Sequence, residues 1–147
     1  MEESLYDTDF YAWVNQQVNF LHSGKFSETD MDNIAEEIEE MGKSIARALE
    51  SRLEILLMHL LKWQYQPSHR SKSWRITIVE QRLALAKLLK KNPSLKPKVQ
   101  NAITESYVDA IIRASVETDL PKNTFPKDCP YRFETIMTEN FWPESLG

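Results

Sequence analysis

Apolar residues recur at three- and four-residue steps along most of the chain, the spacing of an α-helix that buries one face. Phe10, Trp13, Val14, Val18 and Leu21 mark a first helix over residues 8–23, capped by Asp7 or Thr8 and ended by Gly24. Thr29 then caps a second helix, with Asp30 and Asp32 in its first turn, where negative charge meets the positive end of the helix dipole. Ile34, Ile38, Met41, Ile45, Leu49, Leu53, Leu56 and Leu60 stay in phase from there to Trp63. Because the stripe holds across Gly42, the spacing predicts one continuous helix over 30–63, at a cost of roughly 1 kcal/mol relative to alanine at that glycine. Such a helix would be roughly 50 Å long, against a radius of gyration of about 15 Å for a compact chain of this size. Part of it is expected to project and to need a second apolar surface, which a two-fold homodimer supplies most simply.

Segment 65–73, with Pro67 and its serines, reads as a short connection. A third helix follows over 74–91, with Trp74, Ile78, Leu85, Leu88 and Leu89 as its apolar edge and Lys87, Lys90 and Lys91 near its end. Asn92-Pro93 stops it, and Ser94 caps a fourth helix that holds Pro97 in its first turn and runs to residue 118. One face of that helix carries Val99, Ile103, Ser106, Ala110 and Ala114 and the other Val108 and Ile112, so it should be sandwiched. After Leu120, four prolines alternate with Phe125, Tyr131, Phe133, Phe141 and Trp142. Flexible linkers lack large aromatics, so this is a strap pinned to the helices, with a short helix near 132–138. The predicted fold is all-α: a single-domain helical bundle over residues 1–147 with four main helices, a very long second helix, and a Pro/aromatic-rich C-terminal strap ending in a short helix.

Composition narrows the class. Hydrophobic residues at 41% and charged residues at 27% are globular values, and only 3 glycines with no alternating β-branched runs leave sheets without local support. Charges cluster: residues 28–54 carry nine acids against Lys43, Arg47 and Arg52, while residues 70–98 carry nine bases against Glu80. The two blocks should attract, which makes the basic one a structural complement before a nucleic-acid footprint. Cys129 is the single cysteine, which excludes an internal disulfide and suits a reducing compartment. The acidic start has no apolar run behind it, and residues 55–61 are far shorter than the roughly 20 apolar residues of a membrane span. A cytoplasmic protein with no membrane contact is the expectation.

Few residues suggest chemistry. The positions three before the histidines are Asn19, Leu56 and Gln66, so the Glu-x-x-His pairs of a carboxylate-bridged metal site are missing, and neither a metal nor a cofactor is expected. Three scattered glycines cannot build a phosphate loop, so nucleotide binding by that route is excluded. Cys129 lies between Asp128 and Pro130 without a histidine beside it and reads as a packing residue. Glu36, Glu37, Glu39 and Glu40 fan around Ile38 as a solvated face, and no catalytic residue is assigned. The unusual polar residues border the core. His59 lies in the most apolar stretch, with Arg52 one heptad before it, and Gln81 falls inside the apolar arc of the third helix, with Arg75 and Arg82 on its margin. These five could form one polar centre that binds a ligand or catalyses a reaction, since buried titratable groups gather at functional sites. The stronger reading is a structural network that fixes helix register. Arg70, Lys72 and Arg75 beside Tyr65 and Trp74 offer charge and stacking to a nucleic acid, against an acidic overall balance.

The chain resembles a bacterial family, domain of unknown function 29, over nearly its whole length. The likeness rests on Leu5-Tyr6-Asp7-Thr8-Asp9-Phe10-Tyr11-Ala12-Trp13, on Asn33-Ile34-Ala35-Glu36-Glu37-Ile38-Glu39-Glu40-Met41-Gly42 and on His59-Leu60-Leu61-Lys62-Trp63-Gln64-Tyr65-Gln66-Pro67. It continues through Ser73-Trp74-Arg75 and Glu80-Gln81-Arg82 to Phe125-Pro126-Lys127-Asp128-Cys129-Pro130-Tyr131 and Asn140-Phe141-Trp142-Pro143. The resemblance implies an all-helical fold and no established activity. Three functions are therefore carried forward. The first is a homodimeric interaction or scaffold module of a bacterial cell, with room for an unidentified protein partner. The second is a ligand binder or enzyme centred on His59 and Arg82, and the third a regulator that contacts nucleic acid through residues 70–75.

Overall fold

The computed structural model describes residues 4–144, and its regular elements are all helical. Six α-helices follow in order: α1 (Leu5–Thr8), α2 (Phe10–His22), α3 (Met31–Tyr65), α4 (Lys72–Lys91), α5 (Val99–Thr118) and α6 (Phe133–Ile136). Short 3-10 turns at Phe26–Glu28, Pro67–His69, Pro93–Lys98 and Lys122–Thr124 connect them. Among the described residues no helix is long and apolar enough to cross a membrane. Contacts divide the chain into two units, Met1–Ile45 and Ala46–Gly147, with α3 running through the boundary.

In the first unit, hydrogen bonding settles where helices begin. Asp7 accepts from the Ser4 hydroxyl and Thr8 donates to the Ser4 carbonyl, so neither is left to cap the first long helix. Asp9 does so instead, its carboxylate accepting from the Ala12 amide at 3.1 Å. The isolated turn of α1 is held by Tyr6, whose ring meets Trp13 edge-on at 4.7 Å and whose hydroxyl donates to Glu37. Thr29 is likewise diverted, donating to the Phe26 carbonyl, and Asp30 occupies the start of α3. The Asp30 carboxylate accepts from the Asn33 side chain at 2.7 Å and from the Trp13 indole at 3.1 Å. Its backbone amide donates to the side-chain Oε1 of buried Gln17 at 2.7 Å, which fixes the turn between α2 and α3. The bonds from Asn33, first, and from Trp13 hold the Asp30 carboxyl below its ordinary pKa.

The second unit is organised around the C-terminal half of α3. From Leu56 to Trp63 every residue except His59 is buried, so this stretch is covered on all sides. Helix α4 supplies Ile78, Leu85 and Leu89, and α5 supplies Ile103, Tyr107, Ala110 and Ala114. The strap after α5 supplies Phe125 and Ile136. Helix α5 begins at Val99 and not at Ser94, because Pro93 and Pro97 lie in a preceding 3-10 stretch, Pro93–Lys98. Its outer residues Val108 and Ile112 are exposed, so α5 is not sandwiched as the two-faced pattern predicts. The ion pairs also depart from the two-block picture: Glu54 pairs with Arg113 of α5 at 2.9 Å, and Lys62 with Glu117 at 3.1 Å.

Helix α3 passes Gly42 without a break, and a Cβ added there meets nothing within 4 Å. Gly42→Ala is therefore expected to stabilise the protein by about 0.5–1 kcal/mol through helix propensity. Urea denaturation checks this, and a loss of stability would mean that the glycine serves a bend.

Candidate functional site

The five polar residues singled out by the sequence are distributed over three places. Arg82 is the most buried, at 6% exposure, although its spacing put it at the margin of the α4 arc. Its Nε donates to the Ile136 carbonyl at 2.7 Å, Nη1 to Glu139 at 3.2 Å and Nη2 to Phe141 at 2.6 Å. All three nitrogens are thus spent on backbone of the strap, and the guanidinium lies 5.2 Å from the Trp142 ring centre. Burial lowers the Arg82 pKa from its ordinary value. Arg75 shares that ring from 5.3 Å and remains exposed to solvent. Arg52 and Gln81 meet one another through a long 3.4 Å bond from Nη1 to Oε1. His59 has other neighbours: Nδ1 donates to the Ile55 carbonyl one turn back, and the charges acting on it are Lys62, Arg113 and Glu117.

The basic segment 70–75 is partly committed to the same strap. Arg70 donates from Nε to the Trp63 carbonyl at 2.7 Å, where α3 runs out of helical partners, and from Nη2 to Pro143 at 3.1 Å. Trp63 and Trp142 pack 4.8 Å apart, with Arg70 and Arg75 within 6 Å of the Trp63 ring. Lys72 is exposed. This half of the molecule therefore uses arginine as a clasp, closing carbonyls that irregular backbone leaves open. Among the described residues every buried side-chain nitrogen and oxygen has a partner.

Sequence reasoning missed Lys62, buried beneath Trp74 with its ammonium 4.6 Å from the ring centre and paired to Glu117. The signal was a lone charge inside a run of buried residues. It also missed the strap's phenols: Tyr107 donates to the Pro126 carbonyl at 2.7 Å and Tyr131 to Gln64 at 2.5 Å. Burial pushes both phenols up and raises the Cys129 thiol, whose Sγ lies 3.5 Å from the Tyr131 carbonyl. A protonated, half-buried thiol is a poor nucleophile. An open depression of about 600 Å³ beside the strap is lined by Gln64, Pro130, Tyr131, Arg132, Thr135, Phe141, Pro143 and Glu144, none of them from the predicted polar centre.

In the first unit the opposite situation holds. Helix α2 and the start of α3 enclose an open apolar groove of about 430 Å³. Phe10, Trp13, Val14, Val18 and Leu21 line one wall, Ile34, Ile38 and Met41 the other, with Gln17 and Glu37 the polar members. Ile38 and Met41, which the stripe places in a core, are 62% and 64% exposed. The sequence period identified them as apolar positions but carries no information on whether a covering layer exists within the chain.

The model of the family described as Domain of unknown function DUF29 matches residues 5–142 of the chain. No curated protein and no solved structure matches it.

Arg82→Met keeps the apolar stem and removes three donors, leaving strap carbonyls unpartnered. A loss of about 3 kcal/mol is expected, with faster amide exchange over residues 133–142; unchanged exchange there would show that the clasp does not hold the strap. For His59, burial lowers the folded pKa below the unfolded one, so the unfolded chain takes up the proton first as pH falls. Its contribution is complete above the unfolded value, about 6.5, and is lost on descending toward the folded one. The urea midpoint should fall between about pH 7.5 and 5.5, and His59→Gln should flatten that decline; an equal slope in the variant would assign it to other groups.

Proposed function

The chain belongs to the Domain of unknown function DUF29 family, and we propose that it is a homodimeric helical interaction module that pairs through the open groove of its first unit. The groove carries this reading. Two helices form a single layer, and each has an apolar stripe that a second layer must cover. Within the unit α2 and α3 leave Phe10, Val18, Leu21, Ile38 and Met41 largely exposed. Two copies related by a two-fold axis can lay groove on groove and close a four-helix bundle, each filling the other's cleft. Every aliphatic side chain so covered contributes roughly 1 kcal/mol.

Charge favours one arrangement of that bundle. Helix α3 is flanked by Glu36, Glu37, Glu39 and Glu40, whereas the polar positions Asn15, Gln16, Gln17 and Asn19 of α2 are uncharged. Packing α3 of one copy against α2 of the other keeps the carboxylates apart, while α3 against α3 would crowd them. The proposal also takes the chain as a bacterial cytoplasmic protein, a setting in which a single cysteine such as Cys129 stays a thiol. Arg82 and Arg70 support the ligand and nucleic-acid alternatives less well, because the donors of these two side chains are occupied by the chain's own carbonyls.

Sedimentation at micromolar concentration should show a dimer, and Ile38→Glu combined with Met41→Glu should give a monomer of unchanged helicity. A monomeric parent protein, or a dimer that survives both substitutions, would overturn the proposal.

A further inference from the structure

Helix α4 has two apolar faces, and only one is used. Ile78, Leu85 and Leu89 are buried, while Ile76, Val79 and Leu83 are exposed, Leu83 to 58%. Their steps of three and four residues align them as a seam of the kind that faces a partner helix in a coiled coil, and Ala86 continues it. The seam is framed by charge of one sign. Lys72 and Lys90 stand at its ends and Arg75 and Lys87 along its sides, against the single acid Glu80. Helix α4 cannot roll to hide the seam, because Arg82 on its buried face is tied to three carbonyls of the strap.

From this surface we infer that α4 is a docking site for an acidic amphipathic helix of a different protein. That helix lies along the seam, its apolar residues on Ile76, Val79 and Leu83 and its carboxylates opposite Lys72, Arg75, Lys87 and Lys90. Charge complementarity selects this occupant. A second copy presenting the same face would set a basic frame against a basic frame, which opposes self-pairing. A lipid surface calls for a broad apolar face sunk into the headgroup region. The strip here is only about 10 Å long, and Glu80 on its border would meet the anionic headgroups.

The test uses two fluorescent synthetic peptides of about three heptads, both with leucine at the a and d positions, one with glutamate and the other with lysine at e and g. The full-length protein should bind the glutamate peptide at micromolar concentration, less tightly as salt is raised, and the lysine peptide at least about tenfold more weakly. Leu83→Glu should abolish binding at unchanged helicity and unchanged sedimentation, and Lys87→Glu with Lys90→Glu should turn the preference toward the lysine peptide. Equal binding of the two peptides, binding indifferent to Leu83→Glu, or no binding up to about 1 mM would overturn the inference. So would dissociation of a dimer by Leu83→Glu, which gives the face to a second copy, or binding to phosphatidylglycerol vesicles in place of the peptide.

Discussion

A helix segment buried on all sides has to be covered on all sides, and the stretch of α3 from Leu56 to Trp63, buried except at His59, imposes that demand on everything after residue 45. Two helices can flank a third, but they leave a side open. Here α4 and α5 take two sides, and the chain beyond Leu120 closes the remainder with Phe125, Ile136 and Trp142. Those aromatics and prolines suit packing, but they make a segment with little regular structure, and a segment pressed onto a core must still satisfy its carbonyls. Arg82 and Arg70 meet that requirement. A guanidinium presents several donors in a fixed plane, so one residue can serve carbonyls that no helix or sheet reaches. Lysine in either place would supply one charged point and lose the geometry.

The same constraint accounts for several polar side chains at the core's edge. Arg82 gathers the carbonyls of Ile136, Glu139 and Phe141, and Tyr107 does the same for Pro126. Gln66 and Ser115 close carbonyls at the end of α5, where Asp119 turns the chain at positive φ without a glycine. Each donor is fixed by what it holds.

The helices were legible because apolar period and stop signals are local properties: Ile34 to Trp63 keeps its phase in the sequence, and Met31–Tyr65 is one helix. Cap identity was less legible, since Asp7, Thr8 and Thr29 are all good caps and the choice went to Asp9 and Asp30 because competing bonds tie Asp7 and Thr8 to Ser4 and Thr29 to the Phe26 carbonyl. The role of Arg82 was not legible, because its partners lie more than fifty residues later in an irregular segment with no period to read. Nor could the period distinguish Leu53 from Ile38: both are in phase, but one is fully buried and the other largely exposed. Periodicity states which face a helix must hide and is silent on what hides it.

That silence is informative once the structure is known. A monomer that needed no partner would be expected to replace exposed Ile38, Met41, Ile76, Val79 and Leu83 with polar residues at little cost, since isolated surface positions tolerate the change. Instead these apolar positions keep helical spacing, and the charges beside them are sorted by sign, acidic along α3 and basic along α4. Sorted charge keeps an apolar strip soluble while it is open and restricts what can close it, because a like-signed neighbour is repelled before apolar contact is made. A groove with an acidic border and a seam with a basic border therefore cannot favour the same occupant.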